Sequence, residues 1–190
     1  MDFAESYRKY TETVLCEHKS VFDAQELPQL QAFLEAIAKA QRIFVVGAGR
    51  EGIAARSFAM RLMHLGKEVH WVWDDTTPGM KEGDLYLAVD GSGRIGHIDY
   101  LTRQAKAAGA AVGIITGDPN HPIPQSADHL LFVPAAVYKG TDPRVVPSIQ
   151  PMGNLFEQHL FLLFDVMVML LRDELGLTSG QMESRHRNIE

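Results

Sequence analysis

One pattern constrains this chain more than any other: short continuous apolar runs, each closed by a glycine-rich turn and followed by an amphipathic stretch. Ile43–Val46 is β-branched and aromatic throughout and ends at Gly47, Ile53–Leu65 has helical periodicity, and Val69–Trp73 reads as the next strand. Leu85–Val89 leads into Asp90, Gly91, Ser92 and Gly93, and a helix follows from about Ile95 to Ala108, where Gly109 stops it. Val112–Ile115 and Leu130–Val133 supply two further strands. Strands without polar alternation are buried on both faces, and helices between them provide the cover. The expected fold is α/β, a doubly wound five-stranded parallel sheet.

The flanking segments fit one domain over residues 1–190. Residues 1–40 read as two N-terminal helices, the second beginning near Pro28, and residues 41–134 hold the strand and helix core. Between Pro134 and Pro151 the chain carries Gly140, Pro143 and Pro147, which forbid a helix; a loop of that length is often functional. Met152–Glu174 then reads as a helix apolar on nearly every face, so one face is expected to meet a second subunit through positions such as Leu163 or Met167.

Charge and cysteine content narrow the partners. With 24 acidic against 18 basic residues, a net charge of -6 and no long Lys/Arg cluster, nucleic acid is not an expected partner. Cys16 is the single cysteine, which suits a reducing cytoplasm, and the histidines show no metal-ligand spacing, so no metal is expected. The acidic N-terminal stretch does not read as a secretory signal. Glu157, Gln158, His159 and Asp165 interrupt the apolar run Leu155–Leu171, so no membrane span is expected either.

Open α/β sheets take ligands beyond the carboxyl ends of their strands. Two loops there carry candidate chemistry. GAGREG at Gly47–Gly52 contains Gly49, Arg50 and Glu51 and matches the dinucleotide spacing G-x-G-x-x-G, with Asp74 where a ribose-binding acid would stand. DGSGR places Asp90, Gly91, Ser92, Gly93 and Arg94, followed by Ile95, at a helix start that favours an anion. Two such loops side by side suit one small ligand better than a dinucleotide, although an NAD-dependent oxidoreductase remains an alternative on the first loop.

The residues resemble the sugar isomerase (SIS) domain family, and within it the 6-phospho-3-hexuloisomerases. The likeness rests on GAGREG, FAMRLMHLG at Phe58–Gly66, TTP at Thr76–Pro78, SIQPMGNLFE at Ser148–Glu157 and the ending RHRNIE at Arg185–Glu190. It implies a sheet of flavodoxin-like order, a homodimer or homotetramer, no cofactor, and a sugar or sugar phosphate ligand isomerised from 3-keto to 2-keto hexose 6-phosphate through an enediolate. It also implies Glu157 as the base; the alternative is a carboxylate stabilised by a helix N-terminus. His64 and His186 are candidates for moving protons between substrate oxygens, the alternatives being a helix-end histidine and a tail residue bonded to backbone. Trp71 and Trp73 are read as packing, and Asp165 as an interface group.

Where relatives of this type hold phosphate with hydroxyls, the sequence has Glu51, Asp90 and Ile95, leaving Ser92. Two added carboxylates are expected to repel a phosphate. A divergent or non-catalytic SIS sugar-binding protein is therefore a second expectation beside the isomerase.

Overall fold

Residues 2–189 are described in the computed structural model of the chain, so Met1 and Glu190, the last residue of the RHRNIE ending, lie outside them. Two helices come first, α1 (Phe3–Ala24) and α2 (Leu27–Lys39). A capping box of Asp2 and Glu5 opens α1, and Pro28 occupies the first turn of α2, where its missing N–H goes unused. The core follows as β1 (Arg42–Gly47), α3 (Gly49–His64), β2 (Glu68–Trp71), β3 (Leu85–Val89), α4 (Gly96–Ala107), β4 (Ala111–Thr116), a short α5 (Pro122–Gln125) and β5 (His129–Phe132). A 3-10 turn at Pro151–Gly153 leads into α6 (Asn154–Glu174), and α7 (Ser179–Glu183) ends the ordered elements.

All strand pairs are parallel, in the order β2-β1-β3-β4-β5, so the expected five-stranded doubly wound sheet is present. The period of two along a strand decides which residue serves which face. Ile43, Val45, Leu85, Leu87 and Val89 pack with α2, α3 and α6; Val46, Tyr86, Ala88, Val112 and Ile114 pack under α4 and α5. Strand order reverses between β1 and β3, and the two glycine-rich loops leave the sheet on either side of that crevice.

Three boundaries differ from expectation. The helix expected from Ile53 starts at Gly49, because its first turn is polar and faces the crevice. β2 ends at Trp71 and the chain turns, leaving Trp73 half exposed on the surface. The helix expected from Met152 begins at Asn154, since Met152 and Gly153 both take positive φ (60° and 78°) and form a turn.

By length and composition α6 and its leading turn could cross a bilayer, yet the helix belongs to the core. Leu155, Phe156, Leu160, Leu163, Phe164, Met167 and Leu171 are buried, and Phe164 stacks on Phe58 of α3 with ring centroids 4.4 Å apart. Leu163 and Met167 are thus interior to the chain and do not form the outer face. That face carries Phe161, Leu162, Met169 and Leu170, all exposed.

The Pro/Gly segment between β5 and α6 is a fixed structure. Ala135 bridges to Val146, and the carboxylate of Asp118, beyond β4, accepts the Thr141 N–H at 2.7 Å and its hydroxyl at 3.0 Å. Asp142 accepts Arg144 Nη2 and Asn120 Nδ2, each at 2.7 Å; the Arg144 bonds outweigh burial and hold its carboxyl down at about 2.

Candidate active site

The first wall of the site is the β1–α3 turn. A Cβ on Gly52 would stand 2.5 Å from the Gly47 carbonyl oxygen, so the last glycine of G-x-G-x-x-G lets α3 pack against the end of β1. That close packing accounts for the spacing without a dinucleotide. No side chain caps α3, so its first N–H groups face the crevice without one.

The second wall is the β3–α4 loop. Asp90 is fully buried and turned into the protein: Oδ2 accepts the Ile95 N–H at 2.9 Å and Oδ1 the Ser92 hydroxyl at 3.2 Å. Glu51 reaches across from α3, and its Oε2 accepts the Gly91 N–H at 2.9 Å. Position 91 requires glycine, because a Cβ there would collide with Glu51 Oε1 and come within 2.9 Å of the Phe156 ring. Burial pushes the Glu51 carboxyl up to about 8; the Gly91 N–H works against this, while Asp90 and Glu157 reinforce it. Near neutral pH most Glu51 side chains are therefore uncharged. The charge reversal expected from Glu51 and Asp90 does not face a ligand: one carboxyl holds its proton and the other is spent inside the loop.

The third wall is the start of α6. Arg50 Nη1 donates to Asn154 Oδ1 at 2.7 Å and stands 3.2 Å from Glu157 Oε2. The latter geometry makes an ion pair but no hydrogen bond, and among the described residues that buried oxygen has no hydrogen-bond donor. Tyr138 and Met152, from the anchored loop and the turn before α6, complete a cleft of about 510 Å³ with Ala48, Gly49, Ser92 and Ile95. A larger hollow of about 740 Å³ lies at the other end of the sheet, but its Asp84 and Lys39 are already paired with Arg42 and Glu35.

Of the residues expected from sequence, the cleft brings together Gly49, Arg50, Glu51, Ser92, Ile95 and Glu157. Asp90, Gly91 and Gly93 lie behind it as loop framework, and Arg94 points outward to donate to the Lys139 carbonyl. His64 and His186 do meet, with rings 5.4 Å apart, but at the far end of α3, about 21 Å from the cleft at 1.5 Å of rise per residue. There Arg185 donates to the His64 carbonyl, and burial lowers the His64 pKa, with Arg61 and His186 adding to the effect. Asp74 pairs with Arg56 at 3.6 Å and does not line the cleft, and Asp165 is exposed. Among the described residues no three His, Cys, Asp or Glu side chains are grouped to hold a metal ion. Sequence reasoning had Ala48 only as part of the first loop and missed Tyr138, Met152 and Asn154; Met152 and Asn154 lay within the quoted SIQPMGNLFE stretch and Tyr138 within the Pro/Gly loop.

Known proteins are similar to this chain in sequence and in fold. The model of the SIS domain family matches residues 36–147. The 3-hexulose-6-phosphate isomerase of Bacillus subtilis is 38% identical over 154 residues, covering 81% of this chain and 83% of that protein. Its namesake from Mycobacterium gastri is 38% identical over 162 residues, covering 85% and 80%. A crystal structure of a hypothetical protein from Methanococcus jannaschii, described as inferring a 3-hexulose-6-phosphate isomerase function, superimposes with a TM-score of 0.82 at 26% identity, covering 96% of this chain and 99% of that one.

Proposed function

Since this chain belongs to the SIS domain family, we propose that it is a sugar-phosphate isomerase converting 3-keto to 2-keto hexose 6-phosphate in the cleft between α3, the β3–α4 loop and α6. The observation that carries the reading is Glu157: a carboxylate whose Oε2 is buried without a hydrogen-bond donor, beside a cation, on the wall of a sugar-sized cleft. Such an oxygen is free to take a proton from carbon. In this reading Glu157 removes the hydrogen at C2, Arg50 stabilises the charge that develops on the enediolate, and Glu157 returns the proton to C3. The uncapped N-terminus of α3 offers donors to the phosphate, while the Ser92 hydroxyl proton is taken by Asp90. The chemistry calls for no cofactor.

We place the protein in the cytoplasm as a homodimer or homotetramer without nucleic-acid or membrane partners. The exposed Phe161, Leu162, Met169 and Leu170 of α6, together with Phe3, Tyr7 and Tyr10 along the outer side of α1, are the surfaces that support self-association. In such an assembly His186, exposed beside the buried His64, is the histidine available to another subunit's cleft.

The test is conversion of 3-hexulose 6-phosphate to fructose 6-phosphate by the purified chain and by Glu157→Gln. The variant is expected to bind substrate and to lose turnover by at least about a hundredfold, with deuterium exchange from solvent into the transferred position lost alongside. Full activity and exchange in Glu157→Gln would refute the assignment.

A further inference from the structure

Moving a carbonyl from C3 to C2 relocates two protons. One travels between carbons, and Glu157 accounts for it; the other must leave O2 and arrive at O3. The histidines that the sequence offered for this second transfer stand about 21 Å away in the same chain. Among the cleft-lining side chains, Arg50 is engaged with Asn154 and Glu157, Ser92 gives its hydroxyl proton to Asp90, and Tyr138 is exposed. Glu51 is a carboxylic acid held in a fixed pose by the Gly91 N–H, across the same cleft from Glu157.

We propose that Glu51 is a second catalytic residue, carrying the proton from O2 to O3 of the substrate, a role that rests on the isomerase reading of the same cleft. Glu51 enters the cycle protonated. As Glu157 takes the hydrogen from C2, the C2–H electrons form the C2=C3 bond and the C3 carbonyl oxygen receives the Glu51 proton, giving the enediol. In the second half the Glu51 carboxylate takes the proton from the O2 hydroxyl as C2=O forms, and the C2=C3 electrons recover the Glu157 proton at C3. Each carboxyl ends as it began, and no oxidant, reductant or co-reactant is consumed.

The surroundings suit a group that must start protonated. Asp90 from the β3–α4 loop and Glu157 from α6 both disfavour a charge on Glu51, and burial holds its proton to about pH 8. Arg50, the nearest cation on its own helix, is engaged with Asn154 and Glu157. Glu51 is thus held ready as the acid, and the Glu157 oxygen without a donor is left for the base.

The experiment is the pH profile of turnover with 3-hexulose 6-phosphate for the wild-type chain, Glu51→Gln and Glu51→Ser. Wild-type activity is expected to decline as pH rises through about 8, where Glu51 loses the proton it must donate. Glu51→Gln keeps an acceptor for the Gly91 N–H but cannot cycle a proton, so kcat should fall about a hundredfold or more at little change in KM, and the alkaline decline should vanish from the residual rate. Glu51→Ser, a smaller side chain, should do the same and covers any disturbance of the loop by glutamine. A merely structural Glu51 would leave the alkaline decline in place. Full kcat with that decline intact in either variant overturns the shuttle and leaves the isomerase reading standing; absence of turnover by the wild-type chain overturns both.

Discussion

Replacing Glu51 by glutamine is expected to stabilise the protein at neutral pH while leaving it unchanged in acid. In the native state burial holds the Glu51 proton to about pH 8, whereas the unfolded chain releases it at the ordinary value of 4.5. Each pH unit between those values favours the unfolded chain by about 1.4 kcal/mol, so the full effect at pH 7 is about 3 kcal/mol. Partial exposure of the side chain reduces this to about 2 kcal/mol. A folded-state value above the unfolded one means stability that is complete below pH 4.5 and is lost as pH rises toward 8. Glutamine has no proton to lose and keeps an oxygen for the Gly91 N–H. Melting of wild type and Glu51→Gln at pH 4.5, 7 and 8.5 should show coincident transitions at the first and a variant higher by roughly 4–8 °C at pH 7, given about 2–4 °C per kcal/mol for a chain of this size. A variant no more stable at pH 7, or a gap that widens toward acid, would refute the argument from burial.

Three further outcomes follow from the packing. Leu163→Asp puts an unpaired charge in the core beneath α6 and should abolish cooperative melting by circular dichroism, while Phe161→Asp, on the exposed face, should fold and lower the mass seen in sedimentation. His159 is fully buried with its Nδ1 3.2 Å from that of His18, and burial, aided by His18, lowers its pKa to about 4. Because the unfolded imidazole takes its proton near 6.5, stability should fall by about 3 kcal/mol as pH drops from 6.5 toward 4, and urea titrations of His159→Phe should have a flatter slope over that range. Gly52→Ala sets a methyl against the Gly47 carbonyl, which cannot swing aside as a side chain would; a loss of roughly 2 kcal/mol in urea unfolding and weakened ligand binding are expected.

The sheet was legible because strands buried on both faces leave continuous apolar runs, and β1, β3 and β4 are of that kind. The start of α3 was not, since the residues that open it are glycine and charged side chains turned toward the crevice, without the apolar period by which a helix is found. The loops that hold ligand and Glu157 were readable from their position after strands and from motif. The direction of Asp90 was not: a carboxylate at a strand end can face solvent or turn back to the next helix, and the Ile95 N–H decides for the second. Tyr138 and Met152 enter the cleft through the fold of a loop pinned by Asp118 and Asp142, a long-range arrangement without a periodic trace. The separation of His64 from the cleft, by contrast, could be counted along the helix.

The inward turn of Asp90 has a consequence for selectivity. The backbone donor ahead of α4 is occupied by a resident anion that is covalently part of the chain, so its local concentration exceeds anything solution can supply. Gly91 N–H is likewise taken, by Glu51. Free inorganic phosphate, sulfate or a stray carboxylate metabolite must evict a tethered incumbent before it gains a foothold on this loop. A hexose phosphate avoids that contest by settling on the first turn of α3, with its sugar hydroxyls and carbonyl left to meet Arg50 and the two glutamates. The protein has in this way closed one loop to anions, free or esterified, and left the first turn of α3 as the place where a phosphate can be held.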